Sequence, residues 1–232
     1  MSNRVEITTE IELSPRELAE ALEEGVEIIE HATVSRLIMK GSHVTGVDLT
    51  PEYVAVGQTL CEWVGLGDRV ALQEGNATAL PVDDASFDRA YMLHVGMNIA
   101  DKTALAAELF RVLRPGGRLG IYDVMRTGPG DLQFPVPWSM TAEGSAVATP
   151  EEYKDALRAA GFALRAERDR RDFALEFFDR LRQASASASG APPLGLHLLM
   201  GETTPVKLQN MVANINESRI SPVELIAEKP AQ

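Results

Sequence analysis

The chain has 232 residues, of which 45% are hydrophobic and 24% are charged, and these proportions are typical of a globular protein with a substantial core. Its formal net charge of −12 makes nucleic acid an unfavourable partner, because most of the surface would repel a polyanion. Cys61 is the single cysteine, which excludes an intrachain disulfide and a thiolate metal cluster.

The sequence also gives no sign of a membrane span or a leader. No stretch has the roughly 20 consecutive apolar residues of a spanning helix, and the start of the chain does not resemble a signal peptide. We therefore expect a cytoplasmic protein that does not bind membranes. The histidines are far apart and show no i, i+4 pairing, so we expect no metal site.

The first 43 residues carry short and mixed signals. Residues 5–13 alternate between polar and apolar, as half-buried strands do. A capping box at 14–17, with proline at the first helical position, predicts a helix that Gly25 can end. Residues 26–29 resemble a strand, whereas residues 34–40 fit a helix or a strand equally well.

From Val44 onward, strand and helix patterns alternate regularly. The predicted strands are 44–49, 70–73, 87–93, 118–123, 162–167 and 223–227. The predicted helices are 51–65, 102–113, 150–160, 173–182 and 205–215. Residues 184–193 are rich in Ala, Ser and Pro and predict a surface loop. This order predicts a Rossmann-like, doubly wound α/β fold with a mostly parallel sheet and an antiparallel last strand.

Polar residues follow two of these strands. Asp48 ends the first, where a carboxylate can accept hydrogen bonds from both hydroxyls of a ribose. It is nearly as compatible with a capping role at the helix that begins near Pro51. The loop Gly75-Asn76-Ala77 ends the next strand, where an amide side chain and backbone amides can bind adenine. Taken alone, that loop is more often a simple turn.

Three ordered segments carry a family resemblance. They are Val-Thr-Gly-Val-Asp-Leu-Thr-Pro from Val44, Gly-Asn-Ala-Thr-Ala-Leu-Pro-Val-Asp-Asp-Ala-Ser-Phe-Asp from Gly75, and Glu108-x-x-Arg-Val-Leu-Arg-Pro-Gly-Gly-Arg118. They resemble the post-I, acidic-loop and post-III motifs of small-molecule class I methyltransferases. The ubiquinone/menaquinone-biosynthesis and sarcosine/dimethylglycine types are the most similar. The resemblance extends over about 44–230.

The resemblance implies S-adenosyl-L-methionine as cofactor and assigns residues to its parts. It puts Asp48 on the ribose and Leu49 against the adenine. The adenine edge would be bound by Asn76 and Ala77, and the methionine part would lie beside Leu93 and His94. Asn76 stands where Asp is commoner, and its amide oxygen is expected to accept from the adenine amino group.

One family motif is missing. The family's first strand ends in Asp/Glu-x-Gly-x-Gly-x-Gly, whose glycines let the backbone approach the cofactor at a helix N-terminus. This chain has no glycine between Gly25 and Gly41. We therefore divide it into an atypical N-terminal segment, 1–43, with a replaced first strand, and a methyltransferase-like domain, 44–232. The segment could also exchange with a second subunit in a homodimer.

Two hypotheses from different classes follow. The first is an active methyltransferase that acts on a small amine, hydroxyl or carbon acid. The second is a degenerate, non-catalytic homologue that serves as a binding or oligomerisation module. A nicotinamide dehydrogenase is disfavoured, because the sequence has no Gly-x-Gly-x-x-Gly.

On the substrate side, His94 directly follows a strand and is the candidate catalytic base or orienting group. The alternative is that it only lines the cofactor pocket. The predicted substrate-binding residues are Asp123, Arg126, Trp138 and His197. Trp138 could lie against a cationic amine, although a loop that packs its own aromatic residues explains it equally well. His197 lies on an apolar stretch, where histidine is more often structural than catalytic.

Overall fold

The computed structural model describes residues 37–40, 43–187 and 196–231. These belong to the larger of two units into which the chain divides, 32–232. The strands predicted at 5–13 and 26–29, and the helix that starts at 14, lie outside the described residues.

The described strands and helices follow the predicted order. The strands are β1 Leu37–Lys40, β2 His43–Asp48, β3 Val70–Glu74, β4 Phe87–Leu93, β5 Leu113–Arg126, β6 Ala163–Asp169 and β7 Ile220–Glu228. The helices are α1 Pro51–Trp63, α2 Lys102–Val112, α3 Pro150–Ala160, α4 Arg171–Ser187, α5 Leu196–Met200 and α6 Thr204–Asn216. Among these helices, none combines the length and the apolar character needed to cross a membrane.

Two boundaries differ from the prediction in an informative way. β5 begins at Leu113 rather than at Arg118, because the Pro-Gly-Gly segment stays extended beside the end of β7. There the amide of Gly116 donates to the carbonyl of Lys229 at 2.8 Å. α4 continues to Ser187, so the first residues of the predicted low-complexity loop are helical instead.

The seven strands form one sheet in the order β3-β2-β1-β4-β5-β7-β6. β2 pairs in parallel with β3, and β4 pairs in parallel with β5. β7 is antiparallel to both of its neighbours, which confirms the predicted antiparallel last strand. The α/β, Rossmann-like fold class is therefore correct.

The reversed direction of β1 was not predicted. This strand lies inside the sheet, between β2 and β4, and runs antiparallel to both. Only residues 41 and 42 separate it from β2, and a parallel connection needs a crossover of a dozen or more residues. The short connection therefore forces an antiparallel pair at a position flanked by strands of the opposite direction.

The core lies on both faces of the sheet. Alternate residues of β5 point to opposite faces, so Ile121 joins the main cluster with Leu109 and Leu157, whereas Val124 joins a second cluster with Ile215. Helices α2 and α3 cover the first face, and α4 and α6 cover the second. This doubly wound packing holds the ends of β2 to β5 in fixed positions.

Candidate functional site at the carboxyl edge of the sheet

The register aligns two of the predicted cofactor residues. In β1, Leu37 pairs with Gly46 of β2 on one side and with Tyr91 of β4 on the other. Two residues farther along each strand, Asp48 and Leu93 therefore lie at the same level, separated by two strand spacings, or about 9.5 Å. The outer neighbours at this level are Glu74 of β3 and Tyr122 of β5. Asp48 and Leu93 thus share one edge of the sheet with the ends of β3 and β5, which lead to the predicted residues Asn76 and Asp123.

Asp48 is held in place at this edge. It is only 7% exposed, and its Oδ1 accepts a hydrogen bond from the amide of Thr50 at 2.8 Å. Thr50 is the N-cap of α1, and its own side chain makes no capping bond. The carbonyl of Asp48 also accepts from the amide of Gly75 at 2.8 Å. The contact with the start of α1 is thus present, and a ribose contact stays a prediction.

The loop after β3 forms a turn of its own. Oδ1 of Asn76 accepts from the amide of Thr78 at 2.9 Å and from its hydroxyl at 2.8 Å. An amide oxygen has two lone pairs, and both are directed to Thr78. The prediction that Asn76 accepts from an adenine amino group is therefore not supported by this geometry, because that group would compete with Thr78. Its side-chain NH2 remains chemically suited to donate to a ring nitrogen.

The apolar residues assigned to the adenine stay accessible. Leu49 is 69% exposed, and Ala77 is half-buried. The close packing of Gly75 explains why the loop begins with glycine, since a Cβ there would come within 2.8 Å of both Val47 and Pro81. The backbone of this loop is thus packed directly against the end of β2.

The Glu108-x-x-Arg111 motif fastens the acidic loop to α2. Glu108 accepts from the amide of Leu80 at 2.8 Å and from the guanidinium of Arg111 at 2.8 Å. Arg111 also donates to the carbonyl of Val82 at 2.8 Å and to the carboxylate of Asp84 at 2.6 Å. Two motifs that are distant in sequence therefore form one structural contact beside the proposed adenine loop.

His94 occupies a constrained backbone position just past β4. Its φ is 51°, which is uncommon for a residue with a side chain, although histidine tolerates it better than most. The amide donates to the carbonyl of Tyr122 at 2.8 Å, and the two rings stack edge to face with centroids 4.9 Å apart. Burial lowers the pKa of His94 to about 4. The imidazole is therefore neutral at pH 7, and its basicity is weak.

Asp123 lies inside the protein rather than on a substrate-facing surface. It is fully buried, and its Oδ2 accepts from the hydroxyl of Tyr153 at 2.7 Å. The amide of Val124 donates to Oδ1 at 2.9 Å. Burial raises the pKa of Asp123 to about 6, against the opposing effect of the Tyr153 hydrogen bond. We therefore correct the prediction of a direct substrate contact, because no surface of this residue is accessible.

Lys102 is the residue of this region that the sequence interpretation missed. It is 9% exposed, and its ammonium group donates to the carbonyls of Gly96 at 3.0 Å and Ala146 at 2.8 Å, and also to that of Ile99. Burial lowers its pKa. A lysine at the first position of a helix usually points into solvent, so no sequence signal distinguished this one.

The remaining predicted substrate residues hold the loop after β5. Arg126 is half-buried and donates to the carbonyls of Gly128, at 3.2 Å, and Gly130. The indole NH of Trp138 donates to the hydroxyl of Ser145 at 2.9 Å, and its ring packs against the second core cluster. The self-packing alternative for Trp138 thus describes the contacts observed, and substrate binding by these residues stays a prediction.

His197 is half-buried in the short helix α5. Its assignment to the substrate site also stays a prediction. Within the described part of the chain, no group of three or more His, Cys, Asp or Glu side chains could hold a metal ion.

Comparison with known proteins identifies the kind of domain. Residues 30–121 match the family model of the methyltransferase domain. Over 96 residues the chain is 36% identical to the erythromycin 3''-O-methyltransferase of Saccharopolyspora erythraea, which covers 41% of this chain and 30% of that enzyme. The matched part of the chain spans about a third of the length of such curated relatives.

Solved structures share the fold. A geranyl diphosphate C-methyltransferase from Streptomyces coelicolor A3(2), solved with S-adenosyl-L-homocysteine, Mg2+ and geranyl diphosphate, gives a TM-score of 0.64 at 18% identity. That comparison covers 82% of this chain and 63% of the other. The cyclase SpnF gives a TM-score of 0.60 at 22% identity, covering 82% of this chain and 67% of the other.

Proposed function

We propose that this chain is a class I S-adenosylmethionine-dependent methyltransferase, which transfers a methyl group from S-adenosyl-L-methionine to a small-molecule acceptor. The observation that carries the proposal is the alignment of Asp48 and Leu93 at one level of the carboxyl edge, with His94 directly after. In open α/β sheets, ligands bind in the crevice outside the carboxyl ends of the strands.

The adenosine part of the cofactor fits the residues at this edge. The carboxylate of Asp48 can accept hydrogen bonds from ribose hydroxyls, because each carboxylate oxygen can accept more than one hydrogen bond. The exposed side chain of Leu49 offers an apolar surface for the adenine ring. In the loop after β3, Asn76 can donate from its amide nitrogen, and Ala77 lies beside it. These contacts would orient the nucleoside.

The methionine part has less support among the described residues. β1 runs away from the carboxyl edge and ends at Lys40, opposite His43 at the start of β2. The described end of β1 therefore lies at the edge opposite to the one where a glycine-rich loop after a parallel strand would lie. We propose that Leu93 and His94 provide the contacts there, and that the affinity for the cofactor comes mostly from its adenosine part.

The chemistry expected of the protein is mainly positioning. When bound, the cofactor supplies a methyl group on a sulfonium centre, which is a strong electrophile. Holding an acceptor atom in line with that methyl group provides most of the rate enhancement. A neutral His94 can accept a hydrogen bond from an acceptor and orient it, but with a pKa of about 4 it is a poor general base near pH 7.

The residues proposed on the acceptor side are Arg126, Trp138 and His197. Arg126 and Trp138 both fasten the loop that follows β5, and β5 is the neighbour of β4. We propose that this loop forms the acceptor side of the site, and that α5 with His197 contributes to it. Amines, hydroxyls and carbon acids all remain candidate acceptors. The weak basicity of His94 favours those that lose their proton readily or have none to lose.

A second function is supported by the reversed β1. Among the described residues, β1 offers no cradle for the methionine part at the carboxyl edge, and this fits a non-catalytic homologue that acts as a binding or oligomerisation module. The likeness to the cyclase SpnF concerns the fold alone, and that fold is not restricted to proteins named as methyltransferases.

Calorimetric titration distinguishes the two functions. The full chain is titrated with S-adenosyl-L-methionine and with S-adenosyl-L-homocysteine, and light scattering reports its oligomeric state. Saturable binding of both ligands below 1 mM, as an order of magnitude, supports the enzyme. An absence of heat with either ligand contradicts it, and a defined oligomer under the same conditions then supports the binding module.

A further inference from the structure

Three secondary-structure elements converge beneath the loop that carries His94. This loop, residues 94–101, joins β4 to α2. Asp123 approaches it from β5, Tyr153 from α3 and Lys102 from the first position of α2. The side chains of all three are buried. A buried carboxylate and a buried ammonium group are costly unless they are paired and hydrogen-bonded.

The hydrogen bonds of these side chains reach the loop backbone directly. The Lys102 ammonium group binds the carbonyls of Gly96, the first residue of a 3-10 turn, and of Ile99, the residue directly after that turn. The Asp123 carboxylate packs against the same turn, because a Cβ at Gly96 would come within 2.5 Å of its Oδ2. The turn is thus hydrogen-bonded to one buried cationic group and packed against one buried carboxyl group.

The same network connects the loop to the acceptor side. Lys102 also donates to the carbonyl of Ala146 at 2.8 Å, and the amide of Ala146 donates to the carbonyl of Met97 at 2.8 Å. Ala146 belongs to the segment between β5 and α3. Two loops that flank the proposed methyl-transfer position are therefore joined through one buried side chain.

The fit around Gly96 leaves no space for a side chain. A Cβ at this position would lie 2.3 Å from the Tyr153 hydroxyl oxygen and 2.5 Å from Oδ2 of Asp123. Close packing of this kind restricts the loop to one conformation, in addition to the hydrogen bonds. His94, with its positive φ, lies two residues before Gly96.

We infer that Asp123, Tyr153 and Lys102 form a positioning network that sets the loop after β4, and with it His94, at the site of methyl transfer. The effect on cofactor binding rests on the proposed function, whereas the effect on the loop does not. None of the three contacts a ligand in this assignment. They act through the backbone of 94–99.

The variant that tests the network is Tyr153→Phe, which removes one hydroxyl and keeps the aromatic ring packed. The matched control is Tyr91→Phe, which removes the hydroxyl of a half-buried tyrosine on β4 outside the network. The amides of Asn98 and Ile99 report on the loop, since they donate to the carbonyls of Val95 and Gly96 at 2.9 Å each.

Three measurements are made on the full chain. In Tyr153→Phe we expect hydrogen exchange at Asn98 and Ile99 to accelerate at least about tenfold, while exchange in β6 and β7 stays unchanged. The pKa of His94, followed by NMR, should rise from about 4 towards 6.5 as the loop admits water. The dissociation constant for S-adenosyl-L-homocysteine should rise roughly three- to tenfold. Tyr91→Phe should change none of the three.

The outcomes separate this inference from the proposed function. If Tyr153→Phe lowers the melting temperature but leaves loop exchange and the His94 pKa unchanged, its role is purely structural and the inference is wrong. If the wild-type chain does not bind S-adenosyl-L-homocysteine, the proposed function fails. Hydrogen exchange and the His94 titration then still decide whether the network positions the loop.

Discussion

The amide of Thr50 donates to the carboxylate of Asp48 at 2.8 Å, so the acid that ends β2 also fixes the start of α1. One carboxylate therefore serves two purposes in the proposed site. Its bond to Thr50 orients the side chain at the carboxyl edge, and in our proposal the same carboxylate also accepts from the ribose.

Replacing Asp48 should therefore weaken cofactor binding. For Asp48→Ala we expect a loss of about 1.5–3 kcal/mol, the usual value of a hydrogen bond to a charged group, or roughly 10- to 150-fold in the dissociation constant. Titration with S-adenosyl-L-homocysteine measures it. Glu74→Ala is the control, since it removes a negative charge at the same level of the sheet on β3. Equal effects of the two variants would reduce the role of Asp48 to general electrostatics.

The packing of Gly96 leads to a stability prediction. Gly96→Ala should destabilise the fold by roughly 1–3 kcal/mol or more, because the new methyl group would overlap the oxygens of Tyr153 and Asp123. Gly120→Ala is the control, since its Cβ would meet Ile226 and Tyr91 at an ordinary 3.7 Å. Urea unfolding measures both. A Gly96→Ala variant as stable as Gly120→Ala would show that the loop adapts easily.

The buried carboxyl of Asp123 should impose a pH dependence on stability. Its pKa is raised to about 6 in the folded chain, so the folded state binds the proton more tightly than the unfolded state. This contribution to stability is fully present below the unfolded pKa, near 4, and is lost as the pH rises through 6. The loss is on the order of 2–3 kcal/mol. Asp123→Asn should abolish it while keeping an acceptor for Tyr153.

The measurement for Asp123 is the difference in unfolding free energy between variant and wild type, followed from pH 4 to pH 7. We expect Asp123→Asn to gain stability relative to wild type as the pH rises across this range. A difference that stays constant from pH 4 to pH 7 would mean that Asp123 titrates normally despite its burial.

His94 should make the unfolding free energy depend on pH in the direction opposite to that of Asp123. Its pKa is lowered to about 4, so the unfolded state binds its proton more tightly between about pH 4 and 6.5. The corresponding stability is present above 6.5 and is lost as the pH falls through 4. The effects of His94 and Asp123 on the unfolding free energy therefore partly cancel between pH 4 and 6.

His94→Asn should expose the Asp123 contribution alone. Asparagine tolerates the positive φ at this position, so the substitution changes the ionisation with little backbone strain. We expect the variant to lose stability as the pH rises from 4 to 6, where the wild type changes little. Urea unfolding at several pH values measures this, and NMR titration of the His94 ring provides an independent check. A ring that titrates near 6.5 would contradict both expectations.

Periodicity predicted most of the fold, because strands and helices after Val44 differ clearly in hydrophobic spacing. It did not predict the direction of β1, since three apolar residues followed by Lys40 are compatible with either direction. Only the length of the connection to β2 decides it. The antiparallel last strand was correct, and the sheet order agrees with the doubly wound class.

The site was predicted less completely, for physical reasons. Residues at strand ends, such as Asp48 and His94, could be found because chain order places them at a common edge. The burial of Asp123 and Lys102 could not, because it depends on α3 and on the segment around Ala146, which are distant in sequence. For the loop around Asn76, the sequence offered two interpretations, a simple turn and an adenine-binding loop. The hydrogen bonds of a turn are present, and they join Asn76 to Thr78, only two residues away.

The loop on the proposed acceptor side depends on Asn214 of α6. This fully buried amide donates to the carbonyl of Gln133 at 3.0 Å and accepts from the amide of the same residue at 2.9 Å. Asn214→Ala would leave both backbone groups without this partner, so we expect a loss of roughly 1–3 kcal/mol in unfolding free energy. Hydrogen exchange in 127–148 should accelerate, because Gln133 lies in that loop.

Asn210→Ala is the matched control one helical turn earlier. Asn210 is half-buried and makes a single hydrogen bond to the loop, from its side chain to the carbonyl of Pro135 at 2.9 Å. We expect its loss to cost about 0.5–1.5 kcal/mol, with a smaller change in exchange. Similar effects of the two variants would mean that the loop is held by its apolar packing, including that of Trp138, rather than by the paired bonds to Asn214.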